Sequence, residues 1–196
     1  MAHLYLSGES KKTMVGNFIG DYVKGKRFEK YPEEISQGIL LHRKIDTFTD
    51  KHIKHKEAKF LFRDDFGLYS GIVIDFFYDH FLAKNWNLFS DESLPAFSKK
   101  VHGILIANFM YLPGRVQGFL PFLINNKRLE SYATVDGIIN SMRIMSNYSS
   151  LPPKSQPAKI ILENNYGYLE ENFTVFMDDI INYVSGNYDI KIKKPG

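Results

Sequence analysis

Apolar residues recur along this chain at every third or fourth position, and almost nowhere in the strict alternation of a half-buried strand. A first helix is predicted over residues 10–23, with Met14, Val15, Phe18 and Tyr22 inward and Gly25 as its stop. A second begins at Tyr31-Pro-Glu-Glu, where proline and acids suit a first turn, and runs to Asp50. A basic helix covers 52–64. After Gly67, a strongly aromatic helix continues to Trp86. Further helices are expected from Ser93-Leu-Pro-Ala to before Pro113, over 115–124, and over 134–146 behind a Thr134 cap. A proline-rich turn at 151–157 leads into one long closing helix over 158–184. The pattern predicts an all-α, single-domain helical bundle of about seven to eight helices. It spans residues 1–186, with 187–196 as a loosely held basic tail.

Polar residues interrupt these apolar faces at three places. At roughly 100° per residue, Ile35, Ile39, His42 and Asp46 fall within about 60° of one another, so an apolar stripe runs into a His/Asp pair. Asp21 lies at the edge of the first helix's inner face, where Gly16 and Gly20 allow close approach by another helix. In the aromatic helix, Asp75 and Asp79 share a face and His80 points about 100° from Asp79. An isolated His/Asp pair is more often a hydrogen-bonded structural feature. Three helices each carrying an acid at a buried margin, two of them beside a histidine, form the ligand set of Mn²⁺, Fe²⁺, Mg²⁺ or Zn²⁺. Helical bundles house such sites with their ligands facing inward. The residues by themselves reach a candidate helical metallo-hydrolase.

Composition narrows the partners. The chain has no cysteine, which excludes disulfides and thiolate ligands and fits a reducing compartment. No apolar run approaches membrane-spanning length, and the start lacks a signal-peptide layout, so a soluble cytoplasmic protein is expected, off the membrane. A net charge of +3 is too small to argue for nucleic acid. The charge is uneven, however. Lys51, Lys54, Lys56, Lys59 and Arg63 stand together with Glu57 as the one acid among them, either a solvated helix face or a landing patch for an acidic partner. Phosphate loops, nucleophile elbows and zinc-protease motifs are absent from the sequence.

Four ordered segments carry a resemblance: Ala2-His-Leu-Tyr-Leu-Ser-Gly8, Gly16-Asn-Phe-Ile-Gly-Asp-Tyr-Val-Lys-Gly25, Gly38-Ile-Leu-Leu-His-Arg-Lys-Ile-Asp-Thr-Phe-Thr-Asp50 and Asp75-Phe-Phe-Tyr-Asp-His-Phe-Leu-Ala-Lys-Asn-Trp86. Together they resemble the bacterial acyl carrier protein phosphodiesterases. The likeness is strongest up to Trp86 and loose over the last fifty residues. It implies hydrolysis of the phosphodiester joining 4′-phosphopantetheine to a serine of holo-acyl carrier protein. It also implies a divalent metal, Mn²⁺ first, with Mg²⁺, Fe²⁺ or Co²⁺ as alternatives, and a distant likeness to HD-type phosphohydrolases. Carried over, Asp21, His42, Asp46, Asp79 and His80 match the family's polar positions, and His3 matches a histidine near its start. The expected ligands are His42, Asp46, Asp79 and Asp21. Asp21, Asp79 and His80 are the expected catalytic groups, and Arg43, Lys51, Lys54, Lys56 and Lys59 would meet the acidic carrier. The chain has Asp79-His80 where a literal His-Asp dipeptide would stand in HD enzymes. Two other readings stay open: hydrolysis of a nucleotide such as a guanosine polyphosphate, or carrier binding without catalysis.

Overall fold

A computed structural model describes residues 1–192 and Pro195. Its elements are α-helices and short 3₁₀ turns, with no strand among the described residues. A one-turn helix α1 (Ala2–Tyr5) precedes α2 (Lys11–Ile19), which Ser10 caps by accepting the Thr13 N–H at 3.2 Å. Such a cap contributes about 1 kcal/mol. A 3₁₀ turn over Gly20–Tyr22 follows at once. Helix α3 (Glu33–Lys51) starts behind Pro32 with two glutamates in its first turn, favourable to the helix dipole. His52 adopts an extended backbone and divides α3 from α4 (Ile53–Phe60), and α5 (Arg63–Phe66) adds one turn. The predicted basic helix over 52–64 is therefore two short pieces.

The aromatic run forms α6 (Ser70–Lys84). Ten of its fifteen residues are buried and its solvated stripe narrows to a line through Ile72 and Asp75, so the helix lies near the centre. It touches α1, α4 and α5. The second half supplies α7 (Leu94–Ala107), α8 (Gly114–Asn125), α9 (Arg128–Ser131) and α10 (Val135–Ser146); α10 also packs on α6. The chain closes with α11 (Ser155–Asn164) and α12 (Tyr166–Tyr188), and α12 completes the wall around α6.

Two expectations need correction here. The single closing helix is broken at Asn165 (φ −122°, ψ 21°), whose side-chain amide donates to the Ile161 carbonyl at 2.8 Å and competes with the helical ladder. The tail is also less free than its composition suggests. Helix α12 continues to Tyr188, and Ile190 and Ile192 pack against the core, while Lys193, Lys194 and Gly196 lie outside the described residues. Among the described residues, no helix is long and apolar enough to cross a membrane.

One contact fixes the later geometry. A Cβ on Gly16 would lie 2.0 Å from the Ile35 carbonyl oxygen, and one on Gly38 would lie 2.2 Å from that of Thr13. Helices α2 and α3 thus cross backbone against backbone, at a distance that only glycine permits.

Candidate metal centre

The crossing brings the inner face of α2 onto the His42 side of α3. His42 is buried, and its ring lies against Gly20, where a Cβ would come within 2.2 Å of the His42 Cγ. Nδ1–H of His42 donates to the main-chain carbonyl of Asn17 at 2.7 Å. That bond sets the tautomer and leaves Nε2 as a lone pair. Nε2 is buried and makes no hydrogen bond. It faces only oxygen acceptors, Asp46 Oδ2 at 3.3 Å and Asp21 Oδ1 at 3.6 Å.

His3, on α1, stacks on His42 with ring centroids 4.1 Å apart and 23° between planes. The same asparagine holds it. The Asn17 amide NH₂ donates to the His3 carbonyl (2.7 Å) and to Ser7 Oγ (3.0 Å), so its Oδ1 is the acceptor left for His3 Nδ1–H at 2.9 Å. His3 Nε2 is then also a lone pair, 3.4 Å from Asp46 Oδ1. One ligand atom each from His3, His42 and Asp46 lies within 4.8 Å of the others. Exposure rises outward from the buried His42 ring through His3 (30%) and Asp46 (47%) to Asp21 (74%), so the group opens to solvent at its carboxylates.

Electrostatics match the crowding. Burial, reinforced by Asp21, Asp75 and Asp50 and opposed by His42, pushes the Asp46 carboxyl up to about 6. Burial, His42 and the N-terminal amine push the His3 imidazolium down to about 3. Burial also acts against the His42 imidazolium, but the carboxylates of Asp21 and Asp46 outweigh it and hold it above the usual range. Asp21 is held below the carboxylate range, chiefly by its contact with His42. Two imidazoles and two carboxylates converge here, and a cation that takes the place of the His42 Nε2 proton answers the same carboxylates, so the set fits a divalent ion of borderline or hard type.

Asp21, His42, Asp46 and His3 therefore come together. Asp79 and His80 do not join them. Asp79 accepts the Ala2 N–H at 2.9 Å and the Met1 amine, so it holds the start of α1 and backs His3 from behind. His80, about 100° further round α6, has both nitrogens engaged, Nδ1 with the Tyr132 carbonyl and Nε2 with the Tyr166 hydroxyl, each at 2.8 Å. Arg43 also departs from its expected role. Its Nη2 donates to the carbonyls of Val23 (2.8 Å) and Gly25 (2.7 Å), and its guanidinium lies over the Phe28 ring. It ties down the segment that follows Asp21. Among the lysines, Lys51 and Lys56 are exposed and Lys59 half-buried, while Lys54 is bonded to Glu57 at 2.9 Å.

Sequence reasoning missed Asn17, although the signal was present: it stands four residues before Asp21, as His42 stands four before Asp46. It is fully buried and bonds both imidazoles.

Comparisons with known proteins show the family. A family model described as acyl carrier protein phosphodiesterase matches residues 1–180. Proteins named acyl carrier protein phosphodiesterase from Yersinia pestis, Yersinia enterocolitica and Salmonella agona are each 31% identical to this chain over 177 residues. Each alignment covers 90% of this chain and 92% of the relative. No solved structure matches, and the likeness to HD-type phosphohydrolases stays an expectation of the sequence. On the family match and these identities, the chain belongs to the acyl carrier protein phosphodiesterase family.

Proposed function

We propose that this protein is a cytoplasmic, metal-dependent phosphodiesterase that releases 4′-phosphopantetheine from the serine of holo-acyl carrier protein, leaving the apo-carrier. Family membership supports the substrate. The observation that carries the metal dependence is the His42 Nε2 lone pair, buried, without a hydrogen bond, and aimed at the same point as His3 and Asp46.

His3, His42 and Asp46 hold the cation, with Mn²⁺ suited to the nitrogen and oxygen donors and Mg²⁺, Fe²⁺ or Co²⁺ as alternatives. When bound, such an ion polarises a phosphoryl oxygen and lowers the pKa of a coordinated water. Asp21 stands at the open side, 3.6 Å from His42 Nε2, and is kept ionised by that neighbour. It orients the attacking water and accepts its proton. Asn17 fixes both imidazole tautomers, and Asp79 secures the turn that carries His3.

Lys51, Lys56 and Lys59 on and beside α4 steer the acidic carrier. Lys56 borders an open groove of about 590 Å³ whose apolar lining includes Ile53, Phe60 and Tyr168. A carrier seated there meets both charge and apolar surface. The decisive experiment is mass spectrometry of holo-carrier incubated with the protein and Mn²⁺. Loss of the phosphopantetheine mass, abolished by chelation and by Asp46→Asn, is the expected result. An unchanged carrier, with hydrolysis of a guanosine polyphosphate in its place, would redirect the reading to a nucleotide.

A further inference from the structure

Beside the first centre stands a second histidine with no satisfied nitrogen. His55, on α4, is 2% exposed, and neither its Nδ1 nor its Nε2 makes a hydrogen bond. An imidazole always carries a donor or a lone pair on each nitrogen, so burying both without partners is costly. Its ring neighbours give no relief. Tyr78 meets it edge-on at 6.0 Å with its hydroxyl turned to the Lys54 carbonyl, and Phe176 lies at 6.4 Å. The one polar group that Nε2 faces is Asp75 Oδ1 on α6, at 3.5 Å. Asp75 is 64% exposed, so the pair opens to solvent through its carboxylate, as His42 does through Asp46.

The surrounding charge points the same way. Asp46 and Asp50 lie one turn apart on α3, and Asp75 faces His55 from α6. Among the described residues, no lysine or arginine comes within ion-pair distance of Asp46, Asp50 or Asp75, and Lys24 reaches only Asp21, at 3.9 Å. Asp46, Asp50 and Asp75 thus stand as carboxylates without a lysine or arginine partner among the described residues. One divalent ion on His3, His42 and Asp46 leaves Asp75 and His55 without a counterpart.

We propose that a second divalent cation binds at His55 Nε2 and Asp75, next to the first centre. One imidazole and one carboxylate suit Mn²⁺ or Mg²⁺, with water filling the other positions. The proposal rests on the metal-centre reading above.

The test is metal stoichiometry on the full chain, stripped of metal and equilibrated with Mn²⁺ by dialysis, then measured by atomic absorption. Wild type should hold two ions per chain. His55→Leu and Asp75→Asn should each hold one, as should His42→Ala. Asp75 is exposed, so Asp75→Asn gives a folded variant even if His55→Leu does not. A wild-type count of one that survives Asp75→Asn and vanishes in His42→Ala overturns the second site and leaves the first standing. Two ions retained in both His55→Leu and Asp75→Asn also overturn it. A wild-type count of zero overturns both readings.

Discussion

His42 and His80 begin alike. Each is buried near the middle of a long helix, and each uses Nδ1 to bond a main-chain carbonyl, that of Asn17 at 2.7 Å or of Tyr132 at 2.8 Å. They part at the other nitrogen. His80 Nε2 accepts from the Tyr166 hydroxyl, and the ring is closed into the core. His42 Nε2 meets only carboxylates, and the ring is left with a lone pair to offer. On the function proposed above, the partner of the second nitrogen is what divides a structural histidine from a ligand, since burial and the first bond are the same in both.

The strongest way to break this contrast is to exchange the outcomes. His42→Ala or Asp46→Asn should reduce holo-carrier hydrolysis to background, whereas His80→Leu should leave the turnover of the folded fraction near wild type. Equal losses of specific activity, measured on folded protein, would make the two histidines alike. Next in size is Asn17→Ala, which removes the side-chain bond to His3 but keeps the carbonyl that holds His42. Mn²⁺ affinity by titration calorimetry should fall by about 10–100-fold, as is usual when a group that orients a ligand is lost.

His80→Leu in turn should cost about 1–3 kcal/mol in denaturant unfolding, because the Tyr166 hydroxyl is left without its acceptor. The pH dependence carries the same message on a smaller scale. Burial, helped by Lys84, lowers the His80 pKa in the folded state although the Tyr132 carbonyl opposes it. The unfolded chain therefore takes up that proton first. Stability should be at its full value above about pH 6.5 and decline below it, by at most about 1.4 kcal/mol per pH unit for this group. In His80→Gln the slope should be shallower, the remainder coming from His3 and His102, whose values are lowered too, against the opposite contribution of His42 and Asp46, whose values are raised. The smallest effect belongs to residues outside both histidine sites. Lys56→Glu with Lys59→Glu should raise KM for holo-carrier a few-fold at low salt, leave kcat unchanged, and lose its effect as salt is added.

Much of the contrast was visible in the sequence. The i, i+4 spacing of His42 and Asp46 at the end of an apolar stripe depends only on helical phase, and the structure keeps it. The strongly aromatic run of α6, for all its polar interruptions, likewise announces a largely buried helix. What decides His80 lies 52 and 86 residues away, at Tyr132 and Tyr166, and no local pattern reports a contact of that separation. Asp79 misled for the same reason: its partner is the start of α1. Asn17 was passed over because a lone amide on a helix looks like surface until its neighbours are placed. His55 lies within the lysine-rich segment 51–63, and nothing in that local pattern marks it as buried.

The glycine crossing of α2 and α3 has a consequence for which ions the protein can use. Gly16 and Gly38 put main chain against main chain, so the gap between the Asn17 side and the His42 side is set by the backbone and cannot widen by a change of rotamer. Ca²⁺ needs oxygen ligands at about 2.3–2.6 Å and more of them, whereas Mg²⁺ is satisfied at about 2.0–2.1 Å. The buried His42 ring sits on that fixed frame, and Ca²⁺, which takes oxygen ligands, gains little from an imidazole. Ca²⁺ should compete poorly for the His3–His42–Asp46 centre even where it is the more abundant ion.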